Sequence, residues 1–205
     1  EANVERILDA ALVVFSRYGL RGARTDQIAE AAGMSKPNLL YYFRTKEELY
    51  IAVLERTLLM WLDPLARIDP EADPREALTD YITRKLLSAR SHPDESRLFA
   101  TEVIQGAPML ASALKRDLAP LVEAKIATIA RWIGEGKLAP IDPMTLIFMI
   151  WATTQHYADF AAQVSLLAGQ GLEDPAYFER TRDTIVEVIL RGVLADRATS
   201  DRSPA

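Results

Sequence analysis

Apolar residues recur three and four positions apart along almost the whole chain, and that regularity restricts it to an all-α fold. Val4, Ile7, Leu8, Ala11, Leu12 and Phe15 trace one helix face, and Gly19 supplies a stop. Leu49, Val53, Leu54, Leu58, Trp61, Leu62 and Leu65 trace another, which closes near the Asp69-Pro70 turn. No segment keeps up an alternation of apolar and polar residues, and no Asn-Gly pair signals a hairpin.

Capping residues divide this pattern into about nine helices. Thr25 is expected to cap a short helix running through Ile28 and Ala32 to Gly33, and Ser35 to cap the next, which reaches Tyr42. Pro37 falls in the first turn of that helix, where its missing N–H costs little. Thr45 and Glu48 have the spacing of a capping box and open a fourth helix. Further helices are expected over 74–90, 94–105, 109–134, 143–168 and 175–195, separated by Pro93, Pro108, Pro140 and the Gly169-Gln170-Gly171 break. Residues 1–47 form one expected domain and 48–196 a second. The polar, aperiodic stretch 197–205 is expected to be a disordered tail.

Composition excludes several classes of function. Cysteine is absent, so disulfides, thiolate nucleophiles and thiolate metal sites are ruled out. With only His92 and His156, no metal-ligand spacing exists, and neither metal nor cofactor is expected. No nucleophile–base pair is discernible, so an enzyme is not expected. The longest apolar run, 146–152, is far too short to span a bilayer, and Glu1-Ala2-Asn3-Val4-Glu5 lacks the stretches of a secretory signal. The expected location is the cytoplasm. The net charge of −5 argues mildly against nucleic acid, but its distribution argues for it. Between 17 and 46 the chain carries Arg17, Arg21, Arg24, Lys36, Arg44 and Lys46 against Asp26 and Glu30 alone.

That basic stretch coincides with a helix-turn-helix pattern. Ile28, Ala29, Ala32, Leu39 and Phe43 are spaced to pack two short helices on each other and on the first helix, and Gly33 permits the left-handed backbone of a sharp turn. The second short helix then presents Lys36, Asn38, Tyr41 and Tyr42. Lysine suits phosphate, asparagine suits base edges, and tyrosine suits phosphate oxygens or thymine methyls. Arg24 and Thr25 at the start of the first short helix, and Lys46 at the positive end of the next, complete the expected DNA-binding set. A plain helical hairpin with solvated polar residues is the competing reading. The coincidence of cap, glycine, small-residue packing and a basic-aromatic helix disfavours it.

The same residues resemble the TetR family of transcriptional regulators. Thr25, Ile28-Ala29, Ala32-Gly33-Met34-Ser35, Leu39, Phe43, Lys46-Glu47 and Leu49 match its DNA-binding stretch, and Phe15 and Gly19 match the end of its first helix. Leu40 stands where the family usually has Tyr, and Pro37-Asn38 where a Gly-Ser pair is common, which bears on sequence preference. Residues 38–54, Arg97-Leu98-Phe99 with Glu102, Gly106-Ala107-Pro108 and, above all, 136–164 resemble the pyrimidine-utilisation regulators of that family. The resemblance implies a homodimeric, ligand-responsive regulator, a repressor released from operator DNA by uracil or thymine and controlling pyrimidine catabolism.

The expected helix 143–168 is apolar nearly all round and should be buried or sandwiched, yet it carries Thr153, Thr154, Gln155, His156, Tyr157 and Asp159. Phe148, Trp151, Gln155 and Asp159 fall close to one stripe. A uracil ring offers alternating N–H and C=O groups and a flat face, which an amide, a carboxylate and an indole can match. Read from the residues alone, these aromatics are core, with Gln155 and Asp159 bonded to protein groups. With the resemblance, Trp151, Gln155 and Asp159 become the expected effector site, with Phe148 beside them and Trp61 and Phe99 closing it. Lys85 and Arg97 read as solvated helix faces. The last helix carries Phe178, Ile185, Val188, Ile189, Gly192 and Val193, a face that would pack inward. In TetR-like proteins the final two helices also make the dimer, and a two-fold dimer reads two half-sites about 34–36 Å apart. A regulator sensing another planar or hydrophobic molecule is the alternative function, and a purely structural helical dimer a further one.

Overall fold

The computed structural model describes residues 2–195, so the expected tail at 197–205 lies outside the described residues. Among the described residues the chain is helical throughout, and its extended pairing is the isolated bridge Leu138–Leu194. The order is α1 (Ala2–Gly22), α2 (Thr25–Ala31), α3 (Lys36–Tyr42), α4 (Lys46–Ala66), α5 (Pro74–Ser91), α6 (Pro93–Ile104), α7 (Ala111–Ala113), a π-turn (Leu114–Leu118), α8 (Ala119–Gly134), α9 (Pro143–Asp159), α10 (Ala161–Ala168) and α11 (Pro175–Val193). The chain divides into two compact units. Among the described residues, the first comprises 2–62 and 91–118, and the second 63–90 and 119–195.

In the first unit, Ile7, Ala11 and Phe15 of α1 are buried with Ile28 and Ala29 of α2, Leu39 of α3 and Leu49 and Val53 of α4. This is the face that the three-and-four spacing marks. At Gly19 the backbone leaves helical geometry (φ 64°, ψ 179°), as its expected stop requires, and a last turn to Gly22 follows. Arg24, not Thr25, is the N-cap of α2; its N–H donates to the side chain of Gln27, and Thr25 is the first helical residue. At α4, Thr45 Oγ1 accepts from the N–H of Glu48 at 3.0 Å, which is half of the expected box. The Glu48 carboxylate reaches one residue further back than the box requires, to the N–H of Arg44 at 2.9 Å. Arg56 of α4 pairs with Glu5 and Asp9 of α1.

The same unit holds a buried carboxylate. Glu102 of α6 accepts from the N–H groups of Met109 (2.6 Å) and Leu110 (3.2 Å) and from the hydroxyl of Tyr50 (3.2 Å). It thereby holds the turn between α6 and α7, where Ala107 has a positive φ of 54°.

Two expected helices are interrupted. The single helix expected over 109–134 opens with α7 and a π-turn before α8 becomes regular. There Arg116 is drawn to Asp117 and to Glu55 on α4, 3.0 Å away. The helix expected over 143–168 breaks at Phe160 (φ −114°, ψ 32°) into α9 and α10. Hydropathy alone marks neither interruption.

In the second unit Trp132 of α8 is fully buried, and its indole donates to the carbonyl of Pro70 at 3.2 Å. Asp142 and Asp174 cap α9 and α11 through the N–H groups of Thr145 and Tyr177, each ahead of a proline at the first helical position. The uniform apolarity of 143–168 does not bury it in the single chain. Phe148 is 53%, Met149 50% and Leu166 85% exposed. On α11, Phe178, Ile185, Ile189 and Val193 are buried as expected, whereas Val188 faces out at 66%.

Candidate nucleic-acid interface and effector site

The helix-turn-helix is built by local chemistry. Gly33 takes the left-handed backbone (φ 64°), and the N–H groups of Gly33 and Met34 return to the carbonyls of Glu30 and Ala29. That ends α2 and turns the chain. Ser35 then opens α3, its Oγ accepting from the N–H of Asn38 at 3.4 Å. Leu39 is the buried anchor of α3, so Lys36, Asn38 and Tyr41 are left outward, Tyr41 being 82% exposed. Tyr42 is half-buried; its ring stands edge-on to that of Tyr41, and its hydroxyl accepts from Asn3.

The cations around α3 are partly engaged. Lys36 pairs with Asp26 of α2 at 3.0 Å, and Arg24 approaches the same carboxylate at 3.5 Å. The hydrogen bond from Lys36, with its charge and that of Arg24, holds the Asp26 carboxyl below the usual carboxylate range. Lys46 turns its ammonium onto the carbonyl of Ala23 at 3.0 Å, tying the start of α4 to the α1–α2 turn. Thr25 is half-buried at the start of α2.

In the second unit, Trp151, Gln155 and Asp159 lie half-buried on α9, with the ring of Phe148 at 5.6 Å from that of Trp151. Trp151 donates its indole N–H to the hydroxyl of Tyr81 on α5 at 2.6 Å. One turn beyond Tyr81 is Lys85, which the sequence placed on a solvated face; here the structure corrects it, because Lys85 is only 2% exposed. Burial pushes its ammonium down to about 7, and the charge of Asp159 opposes that shift. Burial likewise pushes the Tyr81 phenol up. Lys85 falls on the stripe of Leu78, Ile82, Leu86 and Ala89, and a lysine within an apolar stripe is the signal that could have found it. Arg97, the other cation so placed, is half-exposed and pairs with Asp94. Trp61 of α4 and Phe99 of α6 belong to the first unit; Trp61 is buried, and Phe99 packs against the core beneath α1–α4. Among the described residues no group of His, Asp and Glu forms a metal site.

Residues 7–53 match the model of the bacterial regulatory proteins of the tetR family, and residues 54–196 that of the C-terminal region of YcdC-like proteins. The chain is 50% identical over 192 residues to the HTH-type transcriptional regulator RutR of Escherichia coli, covering 94% of this chain and 91% of that one. The chain is a TetR-family regulator. Over shorter lengths it is 34% identical to the transcriptional repressor NicS of Pseudomonas putida, covering 48% of this chain and 47% of that one. Among solved structures, a putative transcriptional regulator of Streptomyces coelicolor, SCO4942, superposes with a TM-score of 0.70 at 27% identity, covering 92% and 97% of the two chains. AibR, solved with isovaleryl coenzyme A and operator DNA, shares the fold with a TM-score of 0.71 at 17% identity, covering 91% and 97%.

The family accounts for the division of labour within the chain. TetR-family regulators are DNA-binding proteins rather than enzymes, and their helix-turn-helix corresponds here to α2 and α3. No helix among the described residues is long and apolar enough to cross a membrane.

Proposed function

We propose that this TetR-family regulator binds operator DNA as a homodimer and is released from it by uracil or thymine, and so controls pyrimidine catabolism and nucleotide metabolism. The observation that carries this reading is 50% identity to RutR over 94% of the chain, because the match runs through the helices of the second unit as well as the helix-turn-helix. Residues 136–164, which resemble the pyrimidine-utilisation regulators, contain Phe148, Trp151, Gln155 and Asp159. Trp151 and Phe148 supply flat faces, Gln155 can donate and accept together, and Asp159 can accept from a ring N–H.

On the DNA side, Asn38 and Tyr41 read base edges and thymine methyls. Lys36, Arg24, Thr25, Tyr42 and Lys46 serve the phosphates. Dimerisation is supported by an apolar groove between α9 and α11, about 350 Å³, flanked by Met149, Val188 and Gly192. Met149 and Val188 are each at least half exposed in the single chain, and a second copy would cover them. Effector binding shifts α4, whose residues are divided between the two units at Leu62 and Asp63, and changes the spacing of the two α3 helices. The effector acts only through its differential affinity for the two states, a coupling of about 1–3 kcal/mol in typical systems.

The experiment is operator release by uracil in the wild type and in Gln155→Ala and Asp159→Ala. Release lost or weakened in either variant is the expected result. Unchanged release in both would mean that α9 does not hold the effector.

A further inference from the structure

Lysine is almost never fully buried unless something compensates its charge. Lys85 is 2% exposed in the interior of the second unit, and the carboxylate near enough to favour its ammonium is that of Asp159. A buried ion pair is a poor stabilising device: replacing one with well-packed apolar residues is often neutral or favourable. Packing alone therefore does not explain a lysine on the stripe of Leu78, Ile82, Leu86 and Ala89.

The surroundings of the pair are those of a recognition site. One turn from Lys85, Tyr81 accepts the indole N–H of Trp151 at 2.6 Å, which joins α5 to α9 and fixes an aromatic plane beside the charges. Gln155 lies between Trp151 and Asp159 on the same α9 stripe and is half-buried. An ammonium, a carboxylate, an amide and an indole thus belong to one pair of helix faces.

We infer that Lys85 is an effector-binding residue, which clamps with Asp159 the imide edge of a neutral planar ring: Lys85 Nζ donates to a ring carbonyl, and Asp159 accepts from the adjacent N–H. The inference rests on the reading that α9 carries the effector site, and it defines the ligand class of that site. The class is cyclic imides and ureides with at least one free N–H beside a carbonyl. A carboxylated ring brings its carboxylate towards that of Asp159. A ring with every N–H alkylated leaves Asp159 without a donor.

The test is calorimetric titration of the full chain with uracil, 1,3-dimethyluracil, orotate, hydantoin and succinimide. The same ligands are titrated into Lys85→Met and into the double variant Lys85→Met/Asp159→Asn. The double variant leaves no buried charge unpaired, and its fold is checked by circular dichroism. Uracil should bind the wild type, and dimethyluracil and orotate should bind at least tenfold more weakly. Loss of a hydrogen bond to a charged group predicts a fall of about 10- to 100-fold for uracil in the folded double variant. A folded double variant with unchanged uracil affinity would overturn the clamp, as would equal binding of uracil and dimethyluracil by the wild type; the second comparison needs no variant to fold. Binding of hydantoin or succinimide without uracil, lost in the double variant, would keep the clamp and remove the pyrimidine reading. Binding of no member of the series by the wild type would remove both.

Discussion

The hydroxyl of Tyr50, near the start of α4, donates to the buried carboxylate of Glu102 on α6 at 3.2 Å, while the Tyr50 ring stands edge-on to Phe15 of α1 at 4.9 Å. The other oxygen of Glu102 accepts the N–H groups of Met109 and Leu110. One side chain therefore connects the core beneath the helix-turn-helix to the turn between α6 and α7.

Glu102→Ala leaves those N–H groups and the Tyr50 hydroxyl buried without an acceptor. Each such group costs about 1–3 kcal/mol, so the expected loss of stability is about 3–5 kcal/mol. Glu102→Gln keeps an acceptor for the turn, and its amide can donate to the Tyr50 oxygen, so about 1 kcal/mol is expected. Urea denaturation midpoints at constant m separate the two, and equal midpoints for both variants would contradict this account of Glu102.

The pairing of Lys36 with Asp26 makes a second prediction. Asp26 repels phosphate and competes for the cation nearest α3, so Asp26→Asn should strengthen DNA binding severalfold. Lys36→Ala should weaken binding on every sequence and lower the slope of log K against log salt by about 1. Asn38→Ala should cost about 1–3 kcal/mol and relax preference at one base position. Anisotropy titrations across a salt series measure all three.

Lys85 gives a pH dependence. Its folded value, about 7, lies below the ordinary lysine value of 10.5, so between these limits the unfolded chain binds more protons than the folded one. Its contribution to stability is complete above the unfolded value and is lost as pH falls towards 7. The stability of the wild type relative to Lys85→Met/Asp159→Asn should therefore rise from pH 7 to pH 10. A flat difference across that range would mean that Lys85 titrates like an exposed lysine.

Much of the fold and less of the site can be read from the sequence, for reasons visible in particular residues. The helix-turn-helix is written locally: Gly33, Ser35 and Leu39 specify turn, cap and anchor within seven positions. The Phe160 break and the π-turn at Leu114–Leu118 depend on backbone geometry that hydropathy does not record. The same limit explains α9 and α10, where apolarity reads as burial whether the cover is this chain or another. The α9 stripe is legible from spacing. That this stripe meets α5 is not, because Tyr81 and Trp151 lie 70 positions apart and only folding brings them together.

The exposed face of α9 and α11 predicts the oligomeric state. Met149→Glu or Val188→Glu puts a charge on the apolar groove and should shift the protein from dimer to monomer in sedimentation velocity, with a large loss of operator affinity. A wild type that sediments as a monomer at micromolar concentration would contradict the dimer.

The central claim is that one chain joins DNA binding to a pyrimidine signal. The most direct measurement is fluorescence anisotropy of the wild type on genomic fragments from its source, with and without uracil. Salt-sensitive binding that uracil reverses is the predicted result. Binding that uracil leaves untouched would contradict the effector, and failure to bind any fragment would contradict the reading of α3 as a recognition helix.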